Sequence, residues 1–210
     1  MKVLLINGSP HENGCTATAL AEAEAVLHAE GVETERLWLG TEAVNGCLGC
    51  GYCYKNGACV QEDVVNRALA LCREADAFLI GSPVHFASPA GNLLSFLDRL
   101  FYVGMSGGRD VFRYKPAAAI VSARRGGTTA SFDVLNKYFA IHEMPIVTSC
   151  YWNGVHGNRP EEVRQDAEGL RTVRVLAHNM AWMLRCIEAG RRSGVALPQT
   201  EPPAKTNFIR

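Results

Sequence analysis

Two apolar runs of this chain end in the same tripeptide. KVLLIN (2–7) leads into Gly8-Ser9-Pro10, and DAFLIGSP (76–83) closes on Gly81-Ser82-Pro83. A continuous branched apolar run bounded by turn residues is the pattern of a strand buried on both faces, and such strands belong to parallel sheets covered by helices. VETERLWL (32–39), PAAAIVSA (116–123) and MPIVTSCYW (144–152) read as three further strands. Helical spacing separates them, over TATALAEAEAVLHAEG (16–31), EDVVNRALALCREA (62–75), GNLLSFLDRLFYV (91–103), TASFDVLNKYFAIH (129–142) and one long helix from Pro160 to about Gly190. In the second of these Val64, Ala68, Leu71 and Ala75 are the expected buried face.

Five strands alternating with five helices predict an α/β fold, a doubly wound five-stranded parallel sheet of order 2-1-3-4-5 with helices on both faces. Residues 1–194 form one expected domain, and 195–210 an extended tail. The tail ends in apolar Phe208-Ile209 beyond a proline-rich arm, so it is expected to dock on a second subunit. The 210 residues are 48% hydrophobic, enough for one sizeable core. Lys plus Arg and Asp plus Glu both number 21, which leaves no electrostatic case for nucleic acid or membrane as partner. The apolar start is too short for a signal peptide and no run has transmembrane length, so the expected location is cytoplasmic. In that compartment eight cysteines read as ligands or redox groups rather than disulfides.

In a doubly wound sheet ligands bind where the strand order reverses, beyond the carboxyl ends of strands 1 and 3. The turn GSPHENGCTATA offers the Ser9, Thr16 and Thr18 hydroxyls and a helix N-terminus, which suit a phosphate. It lacks the lysine of a P-loop and the glycine spacing of a dinucleotide fingerprint. The turn after the third strand places Val84, His85 and Phe86 at the mouth, where they could cover a flat ring. The turn SARRGGTT (122–129) carries Arg124 and Arg125, beside which negative charge developing on a ring would be stabilised. Capping serines, a solvent-exposed histidine and a solvated arginine pair are the plainer readings of the same residues.

GCLGCGYCYKNGACV (46–60) holds Cys47, Cys50, Cys53 and Cys59 in a compact, glycine-rich loop. A [4Fe–4S] cluster, tetrahedral zinc and a metal-free redox loop all suit it. Cys72, Cys150 and Cys186 read as small core residues. Trp152 and His156, after the fifth strand, read first as structural and second as lining the site or a subunit contact.

LLINGSPHENGCTATAL, CLGCGYC, GSPVHFASPAGNLLSFLDR, VSARRGGTTA and YWNGVHG together resemble the NADPH-dependent FMN reductase family of flavodoxin-like proteins, in the branch that includes iron–sulfur flavoproteins. The resemblance implies a flavodoxin-like fold, FMN, NAD(P)H as co-substrate and a homodimer or homotetramer. It implies that Ser9, Thr16 and Ala17 hold the phosphate, with His11 and Cys15 where many relatives carry arginine and asparagine. Pro83, Val84, His85 and Phe86 would lie along the flavin ring, with His85 where relatives place tyrosine. Ser122, Ala123, Arg124 and Gly126 would face the ring from the fourth strand. The implied activity is ping-pong transfer of hydride from nicotinamide to flavin, then to a small-molecule acceptor such as a quinone, azo compound, free flavin or metal. The alternative is a one-electron carrier without direct nicotinamide turnover. No side-chain acid, base or nucleophile is required. For the cysteine loop the resemblance implies a [4Fe–4S] cluster on Cys47, Cys50, Cys53 and Cys59.

Overall fold

A computed structural model describes residues 1–108, 110–199, 201, 204 and 206–208. Along the chain run β1 (Lys2–Asn7), α1 (Cys15–Ala29), β2 (Glu33–Trp38), α2 (Tyr52–Asn56), α3 (Val64–Glu74), β3 (Ala77–His85), β4 (Ser88–Pro89), α4 (Gly91–Met105), β5 (Ala117–Ala123), α5 (Thr128–Ile141), β6 (Gly154–His156), α6 (Pro160–Val163) and α7 (Ala167–Arg192). A 3-10 turn, Ser106–Gly108, follows α4. Strands β2-β1-β3-β5-β6 pair in parallel in that order, and β4 adds a short antiparallel pairing to β3. This is the flavodoxin-like order expected from the sequence, with the two-residue β4 as an addition.

Alternation along the buried strands builds two cores. Leu4, Ile6, Phe78, Ile80, Ala119 and Val121 pack with α3, α4 and α5. Val3, Leu5, Leu79, Ala118 and Ile120 pack with α1 and α7. The chain therefore leaves β1 for one face, as α1, and leaves β3 for the other, as α4.

The structure corrects the expected fifth strand over 144–152. Only Ile146 of that segment bridges β5, opposite Ala117. The chain then swings out and rejoins the sheet as β6, opposite Val121 to Ala123. The gap is closed by a side chain. Buried Asn153 donates through Nδ2 to Ala119 O at 3.0 Å while its own carbonyl accepts Val121 N at 2.9 Å. Ser149 Oγ, 2.7 Å from Asn153 Oδ1, braces the outward swing. The apolar Met144, Ile146 and Val147 gave the segment its strand pattern, but the chain bends at Cys150 and Tyr151 and pairs again only from Gly154.

The long final helix is also broken. Pro160 starts the four-residue α6, and α7 begins afresh after Asp166. Asp166 Oδ1 accepts the α7 amide of Gly169 at 2.9 Å, and Oδ2 accepts the β6 amide of His156 at 2.7 Å. One carboxylate thus caps a helix and ties it to the sheet edge. In α3 the buried face is Val65, Ala68, Leu69 and Cys72, with Val64 and Leu71 at its margin. Asp63, whose Oδ1 accepts Val65 N at 3.0 Å, starts that helix later than expected.

Cys72 is a core residue, its thiol pushed up to about 12 by burial. Cys150 and Cys186 are exposed, contrary to the core role read from their patterns. In the tail Val195, Leu197 and Phe208 are exposed, and Ile209 lies outside the described residues. Among the described residues no helix is long and apolar enough to cross a membrane.

Asn153→Ala leaves the Ala119 carbonyl unpaired inside the sheet. The expected loss is about 1–3 kcal/mol of unfolding free energy, read from urea denaturation.

Candidate functional site

The turn from β1 to α1 is folded around its own polar groups. Asn7 Oδ1 accepts Ser9 N at 3.0 Å, Asn7 Nδ2 donates to Glu12 O at 3.1 Å, and Ser9 Oγ accepts His11 N at 3.1 Å. Trp38 at the end of β2 donates through Nε1 to Ser9 O at 2.8 Å. Gly8 N donates to Gly81 O at 2.9 Å, which ties the turn to β3. A Cβ on Gly81 would come within 2.7 Å of Thr16 Cγ2, so the close approach of α1 to β3 requires that glycine.

The other turns close on the same place. Thr16 Oγ1 and Ser122 Oγ, both buried, lie 2.8 Å apart and link the start of α1 to the end of β5. Cys15 Sγ donates to Gly157 O at 3.5 Å, and Gly157 N donates to Ala123 O at 3.0 Å. Burial pushes the Cys15 thiol up, so it is a neutral donor here. A cleft of about 510 Å³ runs between residues 10–15, Trp38 and residues 158–160.

Beyond Pro83 the chain forms a tight hairpin. Val84 pairs with Pro89 and His85 with Ser88, which leaves Phe86 and Ala87 as a two-residue loop. Both loop residues have positive φ, 51° and 57°. Such turns favour Asn-Gly, and positive φ strains a side chain as bulky as phenylalanine. The strain is held from two sides. Ser82 Oγ donates to Pro83 O at 2.8 Å and accepts Ala90 N at 3.0 Å. Gly127, at φ 98°, packs so closely that a Cβ there would lie 2.8 Å from Val84 Cγ1 and 3.0 Å from Ala87 Cα. Phe86 projects from the hairpin with its side chain wholly in solvent.

Three helix starts meet at the crevice without a side-chain cap. α1, α4 and α5 begin at Gly14, Ala90 and Gly127 with no side-chain cap. α3 and α7 are capped by Asp63 and Asp166. First-turn amides without a cap remain available to an anion or to ring carbonyls. Arg124, Arg125 and Arg159 are exposed at this edge and make no ion pair among the described residues.

Of the residues expected at the site, Ser9, Thr16, Pro83, Val84, Ser122 and Ala123 are brought to this crevice, with Gly126 in the adjoining turn. His11, His85, Phe86 and Arg124 stand exposed on its rim. Ala17 lies one step along α1 and turns toward a hollow beside β2. Asn7, Trp38, Ser82 and Arg159 were not singled out from the sequence. Trp38, as the last residue of a strand paired to β1, carried the clearest signal.

The cysteine loop occupies a separate place. Gly49, Gly51 and Gly57 have φ of 62°, 70° and 64°, and the last two bound the single turn of α2. Cys47, Cys50, Cys53 and Cys59 all line one hollow, which Arg99 and Tyr102 of α4 close from below. Cys47 and Cys50 are exposed, Cys53 buried and Cys59 half-buried. Among the described residues no three His, Cys, Asp or Glu side chains are gathered closely enough to form a metal-ligand set. The four sulfurs share a hollow without closing on a point. Cys53 Sγ donates to Ser106 Oγ at 3.4 Å. Tyr102 is pushed up to about 12, first by its hydrogen bond with Tyr54.

The fold and the converging turns define a flavodoxin-like α/β protein. The model of a family described as NADPH-dependent FMN reductase matches residues 1–159. The chain belongs to that family. It is 32% identical over 197 residues to an iron–sulfur flavoprotein of Methanocaldococcus jannaschii, covering 90% of this chain and 100% of that protein. Among solved structures it resembles RosB with bound 8-demethyl-8-formylriboflavin-5'-phosphate, at a TM-score of 0.72 and 16% identity, over 100% of this chain and 94% of that one. It also resembles the apo form of an NADH:FMN oxidoreductase, at a TM-score of 0.63 and 16% identity, over 87% and 89%.

Gly127→Ala forces a side chain into positive φ and against the hairpin. It should destabilise the apoprotein by about 1–3 kcal/mol and raise the Kd for FMN at least tenfold, read by thermal denaturation and flavin fluorescence titration. Replacing Phe86-Ala87 by Asn-Gly should do the opposite to the apoprotein and raise its melting temperature, because the turn is then unstrained.

Proposed function

We propose that this chain is an FMN-dependent NAD(P)H oxidoreductase that reduces a small-molecule acceptor in a ping-pong cycle. The observation that carries the reading is the meeting of three uncapped helix starts at one crevice, in a chain of the FMN reductase family. A bound flavin would supply the two-electron chemistry, taking a hydride from nicotinamide and releasing electrons to the acceptor.

The chain's own residues bind and orient. The Ser9 and Thr16 hydroxyls and the first amides of α1 suit the phosphate. Arg159, which lines the same cleft as His11, adds positive charge beside the phosphate. Pro83 to Phe86 form one wall for the ring, fixed by Ser82 and Gly127. Ser122, Ala123 and Gly126 form the other. Arg124 offsets the negative charge that reduction adds. Exposed Phe86 and His85 leave room for a nicotinamide to stack between them and the ring.

The donor set of the cysteine loop fits an iron–sulfur cluster. It has four soft thiols from one segment, left-handed glycines that let the segment wrap, and N–H donors aimed at sulfur from Arg99. The printed name of the Methanocaldococcus relative supports the same reading. Cys47, Cys50, Cys53 and Cys59 would hold the cluster, and it would pass electrons singly. A protein using it only as a one-electron carrier is the second reading. The exposed apolar Trp182, Val195, Leu197 and Phe208 support a homodimer or homotetramer in which the tail docks on a second copy.

Anaerobic steady-state assays of the FMN-loaded protein separate the two readings. NADPH oxidation coupled to a quinone, azo dye or ferric acceptor is expected, and negligible nicotinamide turnover would favour the carrier. Deleting residues 195–210 should reduce the sedimentation coefficient. An unchanged value would reject tail docking.

A further inference from the structure

We propose that Arg99 is a positioning residue for the group held by the four-cysteine loop, and that its N–H···S contacts with Cys59 set the reduction potential of that group. The inference rests on the reading of the loop as an iron–sulfur site.

Arg99 sits mid-helix in NLLSFLDRLF, next to Asp98, with its side chain 1% exposed. Its Nε and Nη2 stand 3.4 and 3.2 Å from Cys59 Sγ. Nη1 and Nη2 form a fork on Asp63, at 2.6 and 3.0 Å. Nη1 also reaches Asn45 O at 3.3 Å, and Nη2 shares its two N–H groups among Cys59, Asp63 and Gln61 O, the last at 3.1 Å. One guanidinium therefore holds backbone on both sides of the cysteine run, a ligand sulfur and the cap of α3. An arginine buried for charge pairing alone needs only Asp63. Here the same plane is also turned onto a sulfur.

The same face of α4 repeats the pattern. Asn92 lies two turns before Arg99 on the same face, and Ser106 caps the end of the helix. Asn92 Oδ1 accepts Val44 N at 3.2 Å, and Nδ2 donates to Glu42 O at 2.8 Å. Ser106 Oγ accepts the Cys53 thiol. α4 is thus a rigid rail whose polar side chains position the loop, and its N-terminal end adjoins the hairpin proposed as the flavin wall. Hydrogen bonds to ligand sulfur and a nearby positive charge both stabilise the more reduced, more negative form of a cluster, so both raise its potential.

The test is a potentiometric titration of anaerobically purified holoprotein, following the iron–sulfur and flavin signals separately by electron paramagnetic resonance and absorbance. Arg99→Gln should lower the iron–sulfur midpoint by at least a tenfold change in the one-electron equilibrium, about 59 mV, and leave the flavin midpoint in place. Arg99→Lys, which keeps the charge but loses the fork, should fall between Arg99→Gln and the wild type. If Arg99→Gln does not accumulate because Asp63 is left unpaired, the double variant Arg99→Gln with Asp63→Asn removes both charges and should still lower the midpoint through the lost N–H···S contacts. Unchanged midpoints at full cluster content overturn the role of Arg99 alone. Wild-type protein that carries no iron or sulfide overturns the iron–sulfur reading and this inference with it.

Discussion

The parallel pairing of β1 with β3 is the constraint from which the rest of the structure follows. In register Asn7 meets Gly81, and from there the two chains depart for opposite faces as α1 and α4. The departure opens a crevice at the carboxyl edge of the sheet that no core side chain can fill. Everything placed there is a turn or a helix start. Gly8 N bonded to Gly81 O, the Thr16–Ser122 hydroxyl pair and Gly127 against the Val84 hairpin lock these turns together. The first turns of α1, α4 and α5 there carry no side-chain cap.

The crevice is stabilised at some cost. Phe86 and Ala87 hold positive φ, and three helices forgo side-chain caps that α3 and α7 possess. Each concession is the kind a sequence makes for a ligand rather than for the apoprotein. α4 links this crevice to the cysteine loop. Its first residues follow the hairpin, and Asn92 and Arg99 on one face, with Ser106 at its end, anchor the segment that carries the four cysteines. Two sites separated in the chain are thereby mounted on one rigid element.

The parallel sheet and the crevice were legible because they are written in continuous apolar runs and in a repeated Gly-Ser-Pro. The fifth strand was misread because Met144, Ile146 and Val147 carry a strand-like pattern while the pairing is completed by the side chain of Asn153, which no periodicity reports. The final helix was read as one because Asp166, its second cap, resembles any acidic surface residue. The roles of Asn7 and Trp38 depend on turn geometry that appears only once the chain is folded. Arg99 was not read from the sequence, where its neighbour Asp98 makes it look like half of a surface charge pair. Its partner Cys59 lies 40 positions away in the chain, so no local spacing joins the two.

The account stands on a flavin seated at the carboxyl edge between β1 and β3. A crystal structure of the chain grown with saturating FMN tests it most directly. The predicted result is a phosphate on the amides of residues 11–16 and a ring between residues 83–86 and 122–127. A crevice closed by its own side chains, with FMN absent or bound elsewhere, contradicts it.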